Sequence, residues 1–515
     1  MDAPTTSTAG PGQAAFARRG FYLHACWEFA YPFAVKSWQH DDYARMFALL
    51  AHLGFNTVML WPLSEAVPPP LSRDDAGYLE NFRRIITAAQ EQGLECWLTQ
   101  CANLTSRPEI GAVPLSQRHL YPFMHAVRLD DPAARAAYFQ HRAAIQQIIN
   151  NADGYVTIDG DPGGYPGAHP AEFLRVLQTD RATINRVGTH PERQKIIPWL
   201  WCGWGCDWEK NGPWNEPIEP LTTPVLEALK KHMTEPWELL PGRSIRGDWA
   251  NGRLNFELTE RAGLIERSTL LCYEIIEYEP TPPATVIQFD DIRRVLRQEL
   301  RYASTARGCM GNAQQPIMAL PNIYFFARAL CNPDYLNQSD EQVLTDLAGF
   351  LGGPAELLRA AWECLRLSLE QIPPDLPDRL RVAPLHSEAA ECLPGGPQRY
   401  LEILAQFVAT RLGVLQLCST APDSPDAAAD VIARAMQLLV EWWKVHHYVF
   451  SGELGSNFLW SFCHPLLRAP LDEWAAKYVQ DRAAVMRRTA RQLGEQGILP
   501  RDQAMVLMDE LLKSR

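Results

Sequence analysis

Residues 153–167 read DGYVTIDGDPGGYPG, and this stretch decides the fold. Its aromatic and β-branched run at residues 155–158 predicts a strand, which the Pro-Gly-Gly that follows brings to an end. Asp159 and Asp161 lie at the carboxyl end of that strand. Because side chains two apart on a strand point the same way, we expect the two carboxylates to share one face.

The Asp pair has a chemical and a structural interpretation. Two carboxylates this close resist ionising together, so one of them is expected to hold its proton near neutral pH. A proton donor beside a carboxylate is what the cleavage of a glycosidic bond requires. In the structural alternative, one Asp caps the next helix and the other fixes the glycine turn. We favour the catalytic interpretation for Asp159 and Asp161 because barrel enzymes keep their chemistry where strands end.

Strand-like and helix-like stretches alternate on both sides of this segment, from residue 20 to about residue 335. The predicted strands cover residues 21–27, 57–61, 94–100, 155–158, 196–201, 237–240 and 269–276, with the eighth around Cys309. They are continuous apolar runs, as expected when both faces of a parallel strand are buried. The pattern predicts an α/β fold of the (β/α)8 TIM barrel type. A doubly wound open sheet is the rival, but the first βα turn lacks a Gly-rich phosphate-binding sequence.

The character of the sequence changes after the barrel, where only helical periodicity continues. We divide the chain into a flexible tail at residues 1–19, a catalytic barrel at 20–337 and an all-α domain at 338–515. The helical part carries many large apolar residues, namely Trp442, Trp443, Phe450, Phe458, Trp460 and Phe462. An exposed patch of this size is unusual for a soluble monomer. We therefore expect these residues to cover the barrel or a second subunit, and we favour a homodimer.

Composition excludes several classes of function. The net charge is −12 without a basic face, which argues against nucleic-acid binding. No apolar run appears long enough to cross a bilayer, and residues 1–19 lack the apolar core of a signal peptide. Cys26, Cys96, Cys202 and Cys272 fall in predicted strands, which indicates buried free thiols and a cytoplasmic location. Cys202 and Cys206 form a lone CxxxC without a second ligand pair, so neither a metal nor a cofactor is expected.

Polar and aromatic side chains follow the ends of the predicted strands, where a barrel holds its substrate. Trp faces stack on the apolar side of sugar rings, whereas amides and acids bind the hydroxyl groups. The predicted substrate-binding residues are His24, Trp27, Trp61, Gln100, Asn103, Trp201, Trp204, Asp207, Trp208, Asn312 and Gln314. Each Trp taken alone could equally be a core residue, but the set as a whole predicts a sugar site.

A second acidic stretch, YEIIEYEPTPPAT at residues 273–285, follows predicted strand seven. Alternation along a strand places Tyr273, Glu277 and Glu279 on one face and Glu274 on the other. An acid in a buried parallel strand is costly unless it has a partner or a task. We expect Glu277 or Glu279 to act as nucleophile or base, and we interpret Glu274 as structural and paired with an Arg.

The strand-four acid pair, the Glu-rich strand seven and the GNAQ loop before NIYFFARALCNPDY carry a resemblance to known enzymes. In these features the chain resembles barrel glycoside hydrolases of the alpha-glucuronidase and beta-N-acetylhexosaminidase type over residues 20–360. Many of those enzymes append a helical domain. The Asp-Gly-Asp spacing here matches neither the adjacent Asp-Glu of hexosaminidases nor the DxxDxDxE of chitinases, so the family, the sugar and the stereochemistry stay open.

We predict a cytoplasmic glycoside hydrolase that cleaves terminal sugars from oligosaccharides. Asp161 would be the general acid, Asp159 would orient it or contact the sugar, and strand seven would supply the base of an inverting reaction. In one alternative, a 2-acetamido sugar attacks its own anomeric centre and the Asp pair alone carries the chemistry. In another, the barrel binds carbohydrate without turnover.

The first prediction concerns the general acid. Asp161→Asn should lower turnover at least about a hundredfold, the scale of a general-acid contribution, while the fold survives. Steady-state kinetics on substrates with good and poor leaving groups measure the effect. Near-wild-type rates on substrates with poor leaving groups would remove Asp161 from this role.

Overall fold

The computed structural model describes residues 14–24, 30–33, 35–114, 118, 124–160, 162–207, 218–244, 253–277, 286–420, 422–446, 482–498 and 504–505. Eight parallel strands close into a barrel in the order β1-β10-β9-β8-β7-β6-β3-β2, and β4 and β5 form a separate antiparallel pair. The strands are β1 (Arg18–Leu23), β2 (Thr57–Leu60), β3 (Glu95–Cys101), β4 (Leu104–Ser106), β5 (Met124–Ala126), β6 (Gly154–Ile158), β7 (Lys195–Leu200), β8 (Leu240–Ser244), β9 (Thr269–Tyr273) and β10 (Gly308–Ala313). The predicted (β/α)8 barrel is confirmed.

Helices separate the barrel strands and continue beyond them. Around the barrel lie α1 (His40–Leu53), α2 (Arg73–Glu91), α3 (Pro132–Ile148), α4 (Pro170–Val187), α5 (Glu219–His232), α6 (Leu254–Arg261), α7 (Phe289–Glu299) and α8 (Leu320–Cys331). After them come α9 (Asp340–Phe350), α10 (Ala355–Trp362), α11 (Leu376–Arg381), α12 (Glu388–Glu391), α13 (Gly396–Cys418), α14 (Pro425–His446) and α15 (Arg482–Glu495). The predicted helical part after the barrel is therefore present.

The barrel interior is filled by alternate residues of its strands. Tyr22, Met59, Trp97 and Trp199 belong to one buried cluster inside the barrel, while their strand neighbours pack outward against the helices. This division follows from the alternation of side chains along a strand. Because alternate residues fill the barrel, it is a packed core, and only its ends can hold a ligand.

Ion pairs close the amino-terminal end of the barrel. Arg18 lies 3.0 Å from Glu95 and also pairs with Glu238, while Lys195 lies 3.1 Å from Glu238 and pairs with Glu95. The Arg18 guanidinium also covers the ring of Trp97, 4.8 Å from its centroid. These residues lie at or just before the starts of different strands, so their ion pairs link the strands to one another.

Several boundaries differ from those expected. The first strand begins at Arg18, and Phe16 before it is already buried, so order begins inside the stretch expected to be a flexible tail. Strand β8 begins three residues later than predicted. Pro241 and Gly242 are weak strand formers, but pairing with β7 and β9 holds them in a strand. Strand β9 ends at Tyr273 because Glu274 has a positive φ of 67°.

The helices that follow the barrel contact it directly. Trp442 of α14 is buried with its ring centroid 5.9 Å from that of Phe33, in the loop after β1. Tyr324 of α8 likewise packs on Phe350 of α9, with centroids 5.5 Å apart. Phe450, Phe458, Trp460 and Phe462 lie outside the described residues, as does the side chain of Trp443. For Trp442, the expected contact with the barrel is confirmed.

Helix α13 corrects one expectation from composition. At 23 residues it is long and apolar enough to cross a bilayer, and it is the one helix of this kind among the described residues. Half of its most apolar window is buried. Tyr400 accepts a hydrogen bond of 2.7 Å from the indole of Trp362, and the ring of Phe407 packs on Trp442. These contacts are those of a core helix, whose apolar composition serves packing against its neighbours.

The contacts across the barrel boundary predict that the barrel needs its helical cover. A chain ending at residue 335 would expose Phe33 and Tyr324, each of which lies against an aromatic ring of the helical part. Exposed apolar patches promote association, so we expect this shortened chain to aggregate. Size-exclusion chromatography with light scattering measures it against the full chain. A stable, active monomer of residues 1–335 would contradict the expectation.

Candidate active site

Aromatic side chains line the carboxyl end of the barrel. His24 stacks on Trp61 with ring centroids 5.6 Å apart and an interplanar angle of 23°, and Tyr273 packs on Trp201 at 5.1 Å. The hydroxyl of Tyr273 lies 3.2 Å from His24 Nδ1, which joins the two pairs. The indole N–H of Trp61 donates to Glu65, at 3.1 Å. The structure thus brings three predicted substrate-binding residues, His24, Trp61 and Trp201, to one surface.

Beneath this aromatic surface lies a polar layer. The ring of Tyr22 packs edge-on against Trp199, with centroids 5.7 Å apart. Asn312 lies two residues after Met310, which faces the barrel interior, so its side chain is directed inward as well. Its Oδ1 accepts the backbone N–H of Glu274 at 2.6 Å, and its Nδ2 is buried without a hydrogen-bond partner among the described residues. A buried amide with an unused N–H is a candidate donor to a ligand hydroxyl.

Asp159 is fully buried and binds the backbone of the loop that follows β7. Its Oδ1 accepts the N–H of Trp201 at 2.9 Å and of Cys202 at 3.3 Å, and its Oδ2 accepts the N–H of Gly203 at 3.1 Å. Burial raises the pKa of Asp159 from its ordinary value of 3.8 to about 7, while these N–H groups act in the opposite direction. The contacts described for Asp159 are those of a residue that positions the loop carrying Trp201.

The loop after β6 is held by an amide. Asn103 Oδ1 accepts the backbone N–H of Gly164 at 2.8 Å, and its Nδ2 donates to the carbonyl of Val127 at 3.0 Å. Asn103 is therefore engaged by the protein backbone on both sides of its amide. Asp161 lies between Gly160 and this anchored glycine in the sequence but outside the described residues, so its assignment as general acid remains a prediction.

Glu277 plays a similar part at the other side of the barrel end. Its Oε2 accepts the backbone N–H of Gln314 at 2.6 Å and of Gln315 at 2.8 Å. The carboxylate thereby holds the loop that follows β10, and Gln314 is placed by its backbone. The expectation that Glu277 acts as nucleophile or base stays untested, and Glu279 lies outside the described residues.

Glu274 is a candidate that the sequence pattern assigned to the wrong face. Strict alternation would direct it away from Tyr273, yet its φ of 67° breaks the alternation. Its carboxylate accepts the hydroxyl of Ser244 at 2.7 Å, and Ser244 shares the inward face of β8 with Leu240. A left-handed backbone costs a residue other than Gly about 1–2 kcal/mol, and such strain gathers at functional sites. This contact gives Glu274 a partner in Ser244, whereas the sequence suggested an Arg as its partner.

Other predicted residues are placed away from this surface or lie outside the description. Gln100 is directed out of the barrel, where its Oε1 accepts from Gln146 of α3 at 3.3 Å. Trp204 is buried against Phe173 of α4 and donates to the carbonyl of His169. Asp207 is partly exposed and is the last residue described in the same loop, and Trp27 and Trp208 lie outside the described residues. Sequence alternation could have excluded Gln100, since it lies on the opposite face of β3 from Trp97.

Solved structures to which this chain is similar include glycoside hydrolases. A GH138 enzyme targeting pectin rhamnogalacturonan II is 12% identical with a TM-score of 0.45, and the match covers 84% of this chain but only 63% of that enzyme. The CpGH84B structure is 10% identical with a TM-score of 0.42, covering 84% and 73% of the two chains. A mutant O-GlcNAc hydrolase of Thermobaculum terrenum is 12% identical with a TM-score of 0.41, covering 97% and 95%. No family model and no curated protein matches the chain.

The buried carboxylate of Asp159 predicts a pH-dependent stability. Its pKa of about 7 in the folded protein exceeds the ordinary value of 3.8, so its contribution to stability is complete below about pH 4 and is lost as the pH rises to 7. Between these values, the free energy of unfolding of the wild type should fall relative to Asp159→Asn by about 1.4 kcal/mol per pH unit. Urea unfolding of both proteins across this range measures the difference.

The exposed Asp378 provides a matched Asp→Asn control, since its ion pair in the described part of the chain is with Arg381 at the surface. Asp378→Asn changes a side chain that stays exposed to solvent, so it should show no comparable trend against the wild type over the same pH range. A pH-independent difference between the wild type and Asp159→Asn would contradict the raised pKa of Asp159.

Proposed function

We propose that the chain is a glycoside hydrolase that removes terminal sugars from oligosaccharides at the carboxyl end of its barrel. The observation that carries this proposal is the joined aromatic surface of His24, Trp61, Trp201 and Tyr273. Trp201 is the partly exposed member of this group and offers a flat apolar face to a sugar ring, while the inward amide of Asn312 offers a donor to its hydroxyls. The position agrees with the place where barrel enzymes bind their substrates.

In this proposal some carboxylates position loops and others take part in the reaction. Asp159 and Glu277 each accept backbone N–H groups of a neighbouring loop, and in this proposal they position those loops. Asp161 follows Asp159 by two residues and donates the proton to the leaving glycosidic oxygen. In this proposal the proton donor follows, two residues later in the sequence, a carboxylate whose own oxygens accept backbone N–H groups.

The base of the reaction is assigned to predicted strand seven, which is β9. Glu274 is the described acid of this strand end whose carboxylate binds a side-chain hydroxyl, whereas the Glu277 carboxylate binds backbone N–H groups. Glu274 takes a proton from a water molecule, the water oxygen attacks the anomeric carbon, and the bond to the leaving oxygen breaks as Asp161 protonates it. The strand order places β6 and β9 three positions apart in the ring of eight.

The separation across the barrel end favours inversion of the anomeric centre. Inverting enzymes keep their carboxyl groups about 6.5–9.5 Å apart to admit a water, whereas retaining enzymes keep them about 5–5.5 Å apart. An Asp on one side reaches less far than a Glu, which leaves the wider gap. NMR of the first anomer released, from whichever aryl or oligosaccharide substrate is turned over, should show the configuration opposite to that of the substrate.

Amide substitutions test which carboxylate acts. Glu274→Gln should lower kcat by about a hundredfold or more without lowering the melting temperature, since the amide oxygen can still accept from Ser244. Glu277→Gln keeps one oxygen that can accept the backbone N–H groups of both Gln314 and Gln315, since both bind Oε2, so it should lower kcat less than Glu274→Gln does. Glu277→Leu removes this acceptor and should lower the melting temperature, because two buried N–H groups lose their partner. Asp378→Asn serves as the surface control and should leave both quantities unchanged.

The outcomes separate the proposal from its alternatives. Loss of activity at Asp161 with no loss at Glu274 or Glu279 would favour a reaction in which the sugar's own acetamido group attacks. Release of the anomer with the substrate's configuration would contradict inversion. A wild-type protein that binds sugars but turns over none of a broad panel of glycosides would favour the alternative in which the barrel binds carbohydrate without catalysis.

A further inference from the structure

Two buried thiols lie close together in the loop that follows β7. Cys202 Sγ and Cys206 Sγ are 3.1 Å apart, and both residues are at most 2% exposed. A disulfide joins its sulfurs at about 2.05 Å, so an approach of roughly 1 Å would bond them. The reaction proposed above uses neither thiol.

Glycines create the space in which the two sulfurs meet. Gly203 and Gly205 adopt φ values of 86° and 104°, which side chains disfavour, and they bend the loop between the two cysteines. A Cβ on Gly160 would lie 2.5 Å from the Cys202 sulfur and 2.9 Å from the Cys206 sulfur. The absence of a side chain at residue 160 therefore leaves this volume to the thiols.

We propose that Cys202 and Cys206 form a redox modification site, which a hydroperoxide converts reversibly to a disulfide. One thiolate attacks a peroxide oxygen, the O–O bond breaks, and a sulfenic acid and one water form. The second thiol attacks the sulfenic sulfur, the S–S bond forms and a second water leaves. Two thiols are thus oxidised by two electrons while one hydrogen peroxide is reduced to two waters. A dithiol reverses the step by thiol–disulfide exchange.

The surroundings of the pair fit this chemistry. Trp201, Gly205 and Asp207, which flank the two cysteines in the chain, are partly exposed, whereas the thiols themselves are buried. Hydrogen peroxide therefore reaches them through a local opening of this loop. Within the described ranges no group of three His, Cys, Asp or Glu side chains is arranged to hold a metal ion. A second thiol next to the first favours disulfide formation over further oxidation of a single sulfur.

Oxidation at this site would act on the wall of the candidate active site. The backbone N–H groups of Cys202 and Gly203 donate to Asp159, and Trp201 lines the aromatic surface. A disulfide would close a short ring around Gly203 and Gly205 and restrict the motion of this loop. The redox state of the surroundings would therefore determine how freely the loop that Asp159 positions can move.

The chain supplies an internal comparison in a second pair of buried thiols. Cys272 Sγ and Cys309 Sγ are 4.0 Å apart on the adjacent strands β9 and β10. Cys272 pairs in register with Gly311 and Cys309 with Leu270, so hydrogen-bonded backbone holds the two thiols in place. The hydrogen bond from Cys272 and burial also raise the pKa of Cys309 well above its ordinary value, which disfavours the thiolate. We expect this pair to stay reduced.

Peptide mass spectrometry of the wild-type protein tests the proposal without any substrate. Trypsin releases residues 196–210, IIPWLWCGWGCDWEK, which contain both cysteines of the site and no other. The folded protein is treated with hydrogen peroxide, denatured, alkylated with N-ethylmaleimide and digested. We expect this peptide to lose both labels and to weigh about 2 Da less than the unlabelled reduced peptide, with full labelling restored by dithiothreitol.

The comparison peptides that hold Cys272 and Cys309 should keep their labels at the same dose. Retention of both labels on residues 196–210 would overturn the proposal, as would sulfinic or sulfonic acid at either cysteine in place of the disulfide. Equal oxidation of the Cys272 and Cys309 pair would also overturn it, since the reaction would then not depend on the loop. Cys206→Ser provides the last check and should divert Cys202 to sulfenic acid, trapped by dimedone.

Discussion

The carboxylate of Asp159 is the constraint on which the candidate site depends. It terminates β6, is fully buried, and accepts three backbone N–H groups from the loop after β7. A buried carboxylate is stable only when its oxygens are satisfied, and a loop of glycines keeps its shape only when its N–H groups have acceptors. Here the loop N–H groups satisfy the carboxylate oxygens, and the carboxylate supplies the acceptors that the loop needs. Trp201, at the start of this loop, is held in the aromatic surface as a result.

Side chains that accept backbone N–H groups of a neighbouring loop also occur at the other side of the barrel end. Glu277 accepts two backbone N–H groups from the loop after β10, and Asn103 joins the loops after β3 and β6 through its amide. Loops at this end are therefore positioned by side chains from neighbouring strands. Acids and amides that look catalytic in a sequence can serve such a purpose, because a loop carries many N–H groups that no strand partner satisfies.

Most of the barrel could be predicted from the sequence, and the site only in part. Continuous apolar runs next to helix signals such as Asp131-Pro132 predicted the strands and the helix α3 closely, because burial and capping are local properties. Strand β8 was placed three residues too early, since its Pro-Gly sequence forms a strand only between two existing neighbours. Of the predicted substrate-binding residues, Trp61 contacts His24 and Trp201 contacts Tyr273 at the carboxyl end of the barrel, whereas Trp204 packs against α4. A loop's path, which the sequence does not encode locally, decides between these outcomes.

The sequence by itself determined the order of strands and helices, the acids at the strand ends and the presence of a helical part after the barrel. These follow from hydrophobic periodicity and from residues that begin or end an element. Only the tertiary structure decided which acid meets which partner. Glu274 reaches Ser244 because a left-handed residue breaks the alternation of its strand, and Cys202 meets Cys206 because Gly160 on another strand end leaves room. Such contacts join residues distant in the chain, so they depend on backbone geometry that no local pattern specifies.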